Sequence, residues 1–347
     1  MKVPMTEIAA NDNLKNRLRD NILSGKFSHA YIIEGKQGSG RHLLALNIAK
    51  AISCKSKDND GIPLPCNSCR SCTLISEFKS PDVITVSRDP DRMTLGVDKA
   101  RFIKNDVVVY PVELKHKIYI IEEADKLTVQ AQNALLLTLE EPPEYAVFLL
   151  LCEQSSLLLE TVRSRAPIIR TESIPGDVIK KFLCEKSPYR EEARALSIAS
   201  REEFDELIMA SDGCIGMAYK LLDPELRADV IETRGRVRRF ISAAITRKSY
   251  EDIITALIAF SQKRDAILRD LEASMVALRD IIVLKKSEDA PLCFYSDREE
   301  ALELSSKRPM IALAELYSLI EEASVAIDRS ANVKLTITDL ASRAYQK

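Results

Sequence analysis

Ala30-Tyr31-Ile32-Ile33-Glu34 runs straight into Gly35-Lys36-Gln37-Gly38-Ser39-Gly40, after which Leu43, Leu44, Leu46, Ile48, Ala49 and Ile52 resume at helical spacing. No other feature restricts the possible folds as strongly. A short apolar run of β-formers is a buried strand, the glycines let the backbone turn sharply, and the helix that follows presents its first N–H groups to whatever lies above the loop. Strand, glycine loop and helix open a mononucleotide-binding βα unit. Such a unit needs a parallel sheet, and the first half of the chain supplies further pieces. Strands are expected over 82–86, 117–121 and 145–151, and helices over 98–106 and 128–140, the latter stopped by Pro142-Pro143. The alternation predicts a parallel α/β sheet covered on both faces.

Before this unit, Leu14, Leu18, Ile22 and Leu23 mark a helix within the first thirty or so residues, and the polar stretch 55–72 reads as a loop or insertion. Beyond about 170 the strand signals fade. Residues 174–223 read as a small helical unit and 225–347 as amphipathic helices, one long (about 262–285) and one carrying Leu313, Leu316, Leu319 and Ile320. The segment 291–295 reads as an irregular link. A length of 347 residues suits two or three domains. With no Trp and only 5% aromatics, the core rests on Leu, Ile, Val and Ala. A formal net charge of −2 excludes a generally basic nucleic-acid coat, so contact with DNA would need a local patch. No apolar run reaches the ~18 residues of a spanning helix, and the N-terminus lacks the apolar core of a signal peptide, so a cytoplasmic protein is expected.

A working phosphate loop reads G-x-x-x-x-G-K-[ST]: the Lys reaches the outer phosphates and the hydroxyl holds Mg²⁺. Gly35 and Gly40 keep the spacing and Gly38 lies between them, but Arg41 replaces Lys and His42 replaces Ser/Thr. A forked guanidinium does not substitute freely for a point-charge ammonium, and Mg²⁺ prefers oxygen to imidazole. Three readings stand: a glycine turn without ligand, nucleotide binding without fast hydrolysis, and hydrolysis. Glu122 and Glu123 close the strand candidate 117–121, where acids sit above a parallel sheet near a metal and an attacking water. Glu122 stands where an Asp commonly helps hold the metal, and its extra methylene moves the carboxylate. A solvated acidic strand end is the plainer alternative.

Cys66, Cys69 and Cys72 share one polar loop, with Cys54 at the end of the helix before it. Four thiolates make a closed tetrahedral zinc set, and closed sets are structural. Unliganded thiols are the alternative. Cys152, Cys184, Cys214 and Cys293 are scattered and read as small core residues. Arg163 and Arg165 end the α/β region, with Arg165 expected after its last strand; they are either surface charges or, for Arg165, a guanidinium offered to a neighbour's phosphate. His29 and His116 lie beside strands and read as structural hydrogen-bonding groups.

Ser28-His29-Ala30-Tyr31, the glycine loop, the cysteines, Ile120 to Asp125, Asn133-Ala134-Leu135-Leu136, Leu139-Glu140-Glu141-Pro142-Pro143-Glu144 and Arg163-Ser164-Arg165 follow in one order. That order resembles the bacterial clamp-loader subunits of the AAA+ class over about 1–225; the run from Asn133 to Glu144 is its most specific part. The resemblance implies a P-loop-type parallel-sheet domain over 1–168 with a zinc-binding insertion at 54–72. A helical lid over 169–224 and an all-α collar over 225–347 for oligomerisation complete it. The family has an ATP-hydrolysing motor, gamma/tau, and a related delta-prime branch that does not hydrolyse ATP. Besides Arg41 and His42, the motor's sensor threonine aligns near Cys152 or Glu153, and its second sensor, an Arg, near Met217. These departures fit the non-hydrolysing branch. The resemblance also implies that Arg165 acts in trans on a neighbour's ATP. The implied partners are gamma/tau and delta subunits of DNA polymerase III, with the sliding clamp and primer-template DNA reached through the complex. Ala166 replaces the usual Cys after the arginine.

Overall fold

The computed structural model describes residues 12–55, 65–89, 91–247, 249–260 and 263–346. The start of the expected first helix, the middle of the cysteine insertion and the first residue of the expected long helix lie outside them. The described residues form two compact units: those up to Pro188 together with Gly213–Met217, and Tyr189–Asp212 together with Ala218 onward.

The first unit begins with helix α1 (Asp12–Leu23), strand β1 (Ala30–Glu34) and helix α2 (Arg41–Ser53), then a short α3 (Arg70–Ser76). Strand β2 (Val83–Val86), α4 (Val97–Asp106), β3 (Lys117–Ile121), α5 (Val129–Glu140) and β4 (Ala146–Cys152) follow. A one-turn α6 (Glu160–Arg163), β5 (Ile168–Arg170) and α7 (Gly176–Glu185) complete it. All five strands pair in parallel in the order β2-β3-β4-β1-β5. The βα unit marked by the glycines therefore lies inside the sheet, with β4 on one side of β1 and β5 on the other.

Successive strand residues point to opposite faces, so β1 divides its side chains between two cores. Ala30 and Ile32 pack with Tyr119, Phe148, Leu150 and the apolar face of α5. Tyr31 and Ile33 pack with α1, α2, Ile118, Ile120 and Leu149. Every residue of β3 and β4 is buried, which is why, apart from Lys117 at the start of β3, whose ammonium donates to the Asp106 and Val109 carbonyls, their sequences are continuous apolar runs rather than alternating ones. Thr128 ends the preceding loop and caps α5, its hydroxyl accepting from the N–H of Ala131.

Strand β5 corrects one expectation. Arg165 does not follow the last strand; it lies in the turn between α6 and β5. With three residues, only the middle one buried, β5 carries too little apolar periodicity to be read from sequence. It forms because β1 offers a free edge: the Ile32 N–H donates to the Pro167 carbonyl, and Ile32, Ile33 and Glu34 pair with Ile168, Ile169 and Arg170.

The second unit holds α8 (Arg190–Ala199) and α9 (Arg201–Ala210), while α10 (Ile215–Lys220) begins in the first unit and ends in the second. Then come α11 (Pro224–Thr246), α12 (Tyr250–Ile258), α13 (Arg264–Leu284), α14 (Arg298–Lys307), α15 (Met310–Asp328) and α16 (Val333–Gln346). Leu313, Leu316, Leu319 and Ile320 all join one core with Phe240, Phe260 and Ile281. The link after α13 is irregular, as its composition predicts, but it is held. The buried Asp280 carboxylate accepts from the N–H groups of Cys293, Phe294 and Tyr295.

Candidate functional site

The glycine loop occupies the end of β1, and its backbone is built as a phosphate loop would be. Gly38 and Gly40 take positive φ angles of 82° and 85°, a region that side chains with a Cβ enter at a cost. Around this backbone the chain supplies its own contacts. The Thr171 hydroxyl lies 3.0 Å from that of Ser39, and a Cβ on Gly35 would come within 1.9 Å of it. The first turn of α10 also touches the loop: the Gly216 N–H donates to the Gly38 carbonyl at 3.0 Å. A Cβ on Gly216 would meet that same carbonyl oxygen at 2.8 Å. Met217 is beside the loop as well, its backbone nitrogen next to Gly38. The glycine at 216 and the thioether at 217 bring no cation there.

The charged side chains of the site are paired two by two. His42 Nδ1 lies 2.8 Å from Glu122 Oε1, and Arg41 lies 3.5 Å from the Glu153 carboxylate. Glu123 is held by Arg88 at 2.6 Å. Glu153 directly follows Cys152, which burial pushes up to about 12. The structure thus brings Gly35, Gly38, Gly40, Arg41, His42, Glu122 and Glu123 to one end of the sheet. It adds Thr171 and Gly216, and it places Glu153, where the resemblance aligns a sensor threonine, against Arg41. Of the two additions only Gly216 carries a local signal, a glycine in the first turn of a helix.

The His42 ring holds Glu122 below its ordinary value of 4.5; burial opposes this, and Arg41 adds a smaller attraction. A depressed carboxylate stabilises the fold above its ordinary pKa, and that contribution is lost as pH falls through the lowered value. Glu122→Gln removes it. In urea titrations between about pH 6 and 3, stability of the variant should fall less steeply than that of the wild type; equal slopes would show that the pair contributes nothing.

The cysteines converge as their spacing predicts. Cys54 ends α2, Cys69 is the N-cap of α3, and Cys72 lies in its first turn. All four Sγ atoms lie within 4.8 Å of one another, with Cys66 and Cys72 at 4.0 Å. Tetrahedral zinc with Zn–S of about 2.3 Å requires sulfurs about 3.8 Å apart, so the set can hold such an ion with small adjustments. Asn67, at a φ of 56°, makes the turn that folds Cys66 back toward Cys69, whose N–H donates to the Cys66 sulfur at 3.4 Å. Burial raises the Cys69 thiol, but N–H donors from Cys72 and Lys55 outweigh it and leave the thiol below its ordinary value. Burial pushes Cys72 up, so a metal there has to displace its proton. Of the other cysteines, Cys152 and Cys214 are core residues, whereas Cys184 and Cys293 are only half-buried.

The two arginines after α5 separate clearly. Arg163 is exposed. Arg165 is half-buried, its guanidinium 2.6 Å from Glu140 and donating to the Thr161 carbonyl at 2.8 Å. Ala166 behind it is buried. His29 has the structural part expected of it: Nε2 lies 3.0 Å from the Leu139 carbonyl, tying β1 to the end of α5.

A glycine loop on an inner strand of a parallel sheet, with acids at the end of β3, defines the class: a P-loop-type α/β domain whose loop side chains have changed. The comparisons narrow it. Residues 10–175 match the family described as DNA polymerase III, delta subunit. Subunit tau of DNA polymerase III from Bacillus subtilis (strain 168) is 27% identical over 335 residues, 91% of this chain and 57% of that protein. Subunit delta' from the same organism is 33% identical over 180 residues, 52% of this chain and 53% of that protein. A solved gamma subunit-related protein from Thermotoga maritima is 18% identical, with a TM-score of 0.44, over 96% of this chain and 99% of that one. The chain spans about half the length of the curated relatives it matches. The chain is thus similar to subunits of DNA polymerase III, with the family match confined to residues 10–175. No helix among the described residues is long and apolar enough to cross a membrane.

Proposed function

We propose that the chain is a non-hydrolysing clamp-loader subunit of the delta-prime type, acting in the cytoplasm. The observation that carries this reading is the pairing of His42 with Glu122. In a working site the residues at these positions converge on Mg²⁺; here they converge on each other. Arg41 is likewise directed at Glu153 rather than left free for a phosphate.

In this reading residues 1–168 form the AAA+ domain with a structural zinc insertion at 54–72, 169–224 the lid, and 225–347 the collar. The subunit works as a fixed member of a ring with gamma/tau motors and delta, and the ring loads the sliding clamp onto primer-template DNA. Its chemical contribution is Arg165, offered to ATP on an adjacent motor. The second reading is an active gamma/tau-type motor. It draws support from the tau likeness, which runs over 91% of the chain against 52% for delta'.

Steady-state phosphate release by the isolated chain, with and without primed DNA, separates the two. The expected result is no turnover above background in either condition. A rate of about 1 per second or more, in the range of ordinary enzymes, would overturn the proposal in favour of the motor.

A further inference from the structure

Lys50 lies in the last turn of α2, four positions before Cys54, and is 2% exposed. Lysines are rarely buried to this degree without a partner for the charge. Its ammonium donates to Asn67 Oδ1 at 3.3 Å, and Asn67 in turn donates to the Pro65 carbonyl at 3.2 Å. Asn67 is the residue whose left-handed backbone forms the turn between Cys66 and Cys69. Burial lowers the lysine's pKa, and the Cys72 sulfur opposes that shift. The ammonium is therefore tethered to the cysteine knuckle from inside the protein.

We infer that Lys50 is the counter-charge of the metal site: its ammonium neutralises part of the excess negative charge of a four-thiolate zinc centre, and Asn67 holds it there. The inference rests on the reading that the four cysteines bind zinc. Four thiolates around Zn²⁺ carry a formal charge of −2, and two of the four cysteines, Cys54 and Cys72, are buried. A buried dianion and a buried ammonium are each unfavourable alone and offset one another when close. Groups that support metal ligands from behind set affinity in this way, typically by about 10- to 100-fold.

A plainly structural role makes a different prediction. Lys50 lies at the C-terminal end of α2, where a cation favours the helix dipole. If that were its whole purpose, removing the charge would lower the stability of the metal-free protein and leave zinc affinity unchanged.

The test is Lys50→Met, which keeps the length of the stem and removes the charge. Zinc affinity is measured by competition with a metallochromic chelator, and thermal stability is measured with and without zinc. The expected result is a loss of zinc affinity of about 10- to 100-fold, together with unchanged or raised stability of the metal-free protein, which no longer buries a charge. Asn67→Gly, which keeps the positive φ and removes the tether, should show a smaller loss in the same direction and keeps the test open if Lys50→Met misfolds. Wild-type protein that binds zinc, with variants that bind it equally well, overturns the counter-charge alone. Wild-type protein that binds no zinc overturns the zinc reading and this inference together.

Discussion

In a reconstituted clamp loader, Arg165→Ala should leave assembly intact and lower both DNA-stimulated ATP hydrolysis and clamp loading. An arginine supplied from a neighbouring subunit stabilises charge on the transferring phosphoryl group and contributes about 10³- to 10⁵-fold at the site it serves. A ring with several sites shows a smaller loss in total hydrolysis, so single-turnover clamp loading is the more sensitive measurement. The structure gives a reason to expect normal folding of the variant. Arg165 is bound to Glu140 in a pair that is 34% and 40% exposed at its two side chains. Pairs this exposed contribute about 0.2–1 kcal/mol, so the isolated variant should unfold at nearly the wild-type denaturant concentration. The same weakness lets the guanidinium leave Glu140 for a phosphate at little cost. Arg163→Ala is the internal control, because Arg163 is exposed and its loss should not change the rate. Normal clamp loading by an assembled Arg165→Ala complex would leave that guanidinium as an ordinary surface charge.

The second large effect is expected from Cys69→Ser. Purified wild-type protein should contain about one zinc per chain, and the variant much less, because a serine hydroxyl is a poor replacement for a thiolate in a closed sulfur set. The local consequence follows from length. Helix α3 has seven residues, too short to be stable alone, and a zinc ion held by the four cysteines would anchor its first turn, through Cys69 and Cys72, to Cys54 and Cys66. Amide hydrogen exchange over 70–76 should therefore accelerate, while the amides of β3 and β4, buried on both faces of the sheet, keep their protection. Unchanged zinc content in Cys69→Ser would show that Cys69 is not a ligand.

The sequence by itself determined the elements whose signal is local. Strands β1 and β3 fall on the residues expected, and β4 is displaced by one position, because each is an apolar run bounded by polar or turn residues. Helix α5 is announced by Thr128 at its start and by the prolines after its end. The cysteine spacing was enough to predict that Cys54, Cys66, Cys69 and Cys72 converge, since a tight knuckle between two helix ends leaves the sulfurs nowhere else to go. The changed residues at 41 and 42 were equally plain.

What only the tertiary structure decided lies between segments distant in the chain. Strand β5 has three residues and almost no pattern of its own; the free edge of β1 makes it a strand, and so places Arg165 before the last strand rather than after it. Nor does any local pattern connect His42 with Glu122, Arg41 with Glu153, Arg165 with Glu140, or the loop at Gly38 with Gly216. Each of these contacts depends on which strands are neighbours and on where a helix begins, and a charged or glycine residue carries no periodicity that reveals its partner. The buried Lys50 is the clearest case. Nothing local marks this lysine of an apolar helix for burial; only the packing of α2 against the cysteine knuckle turns it inward, where the low polarity of the surroundings makes its charge matter.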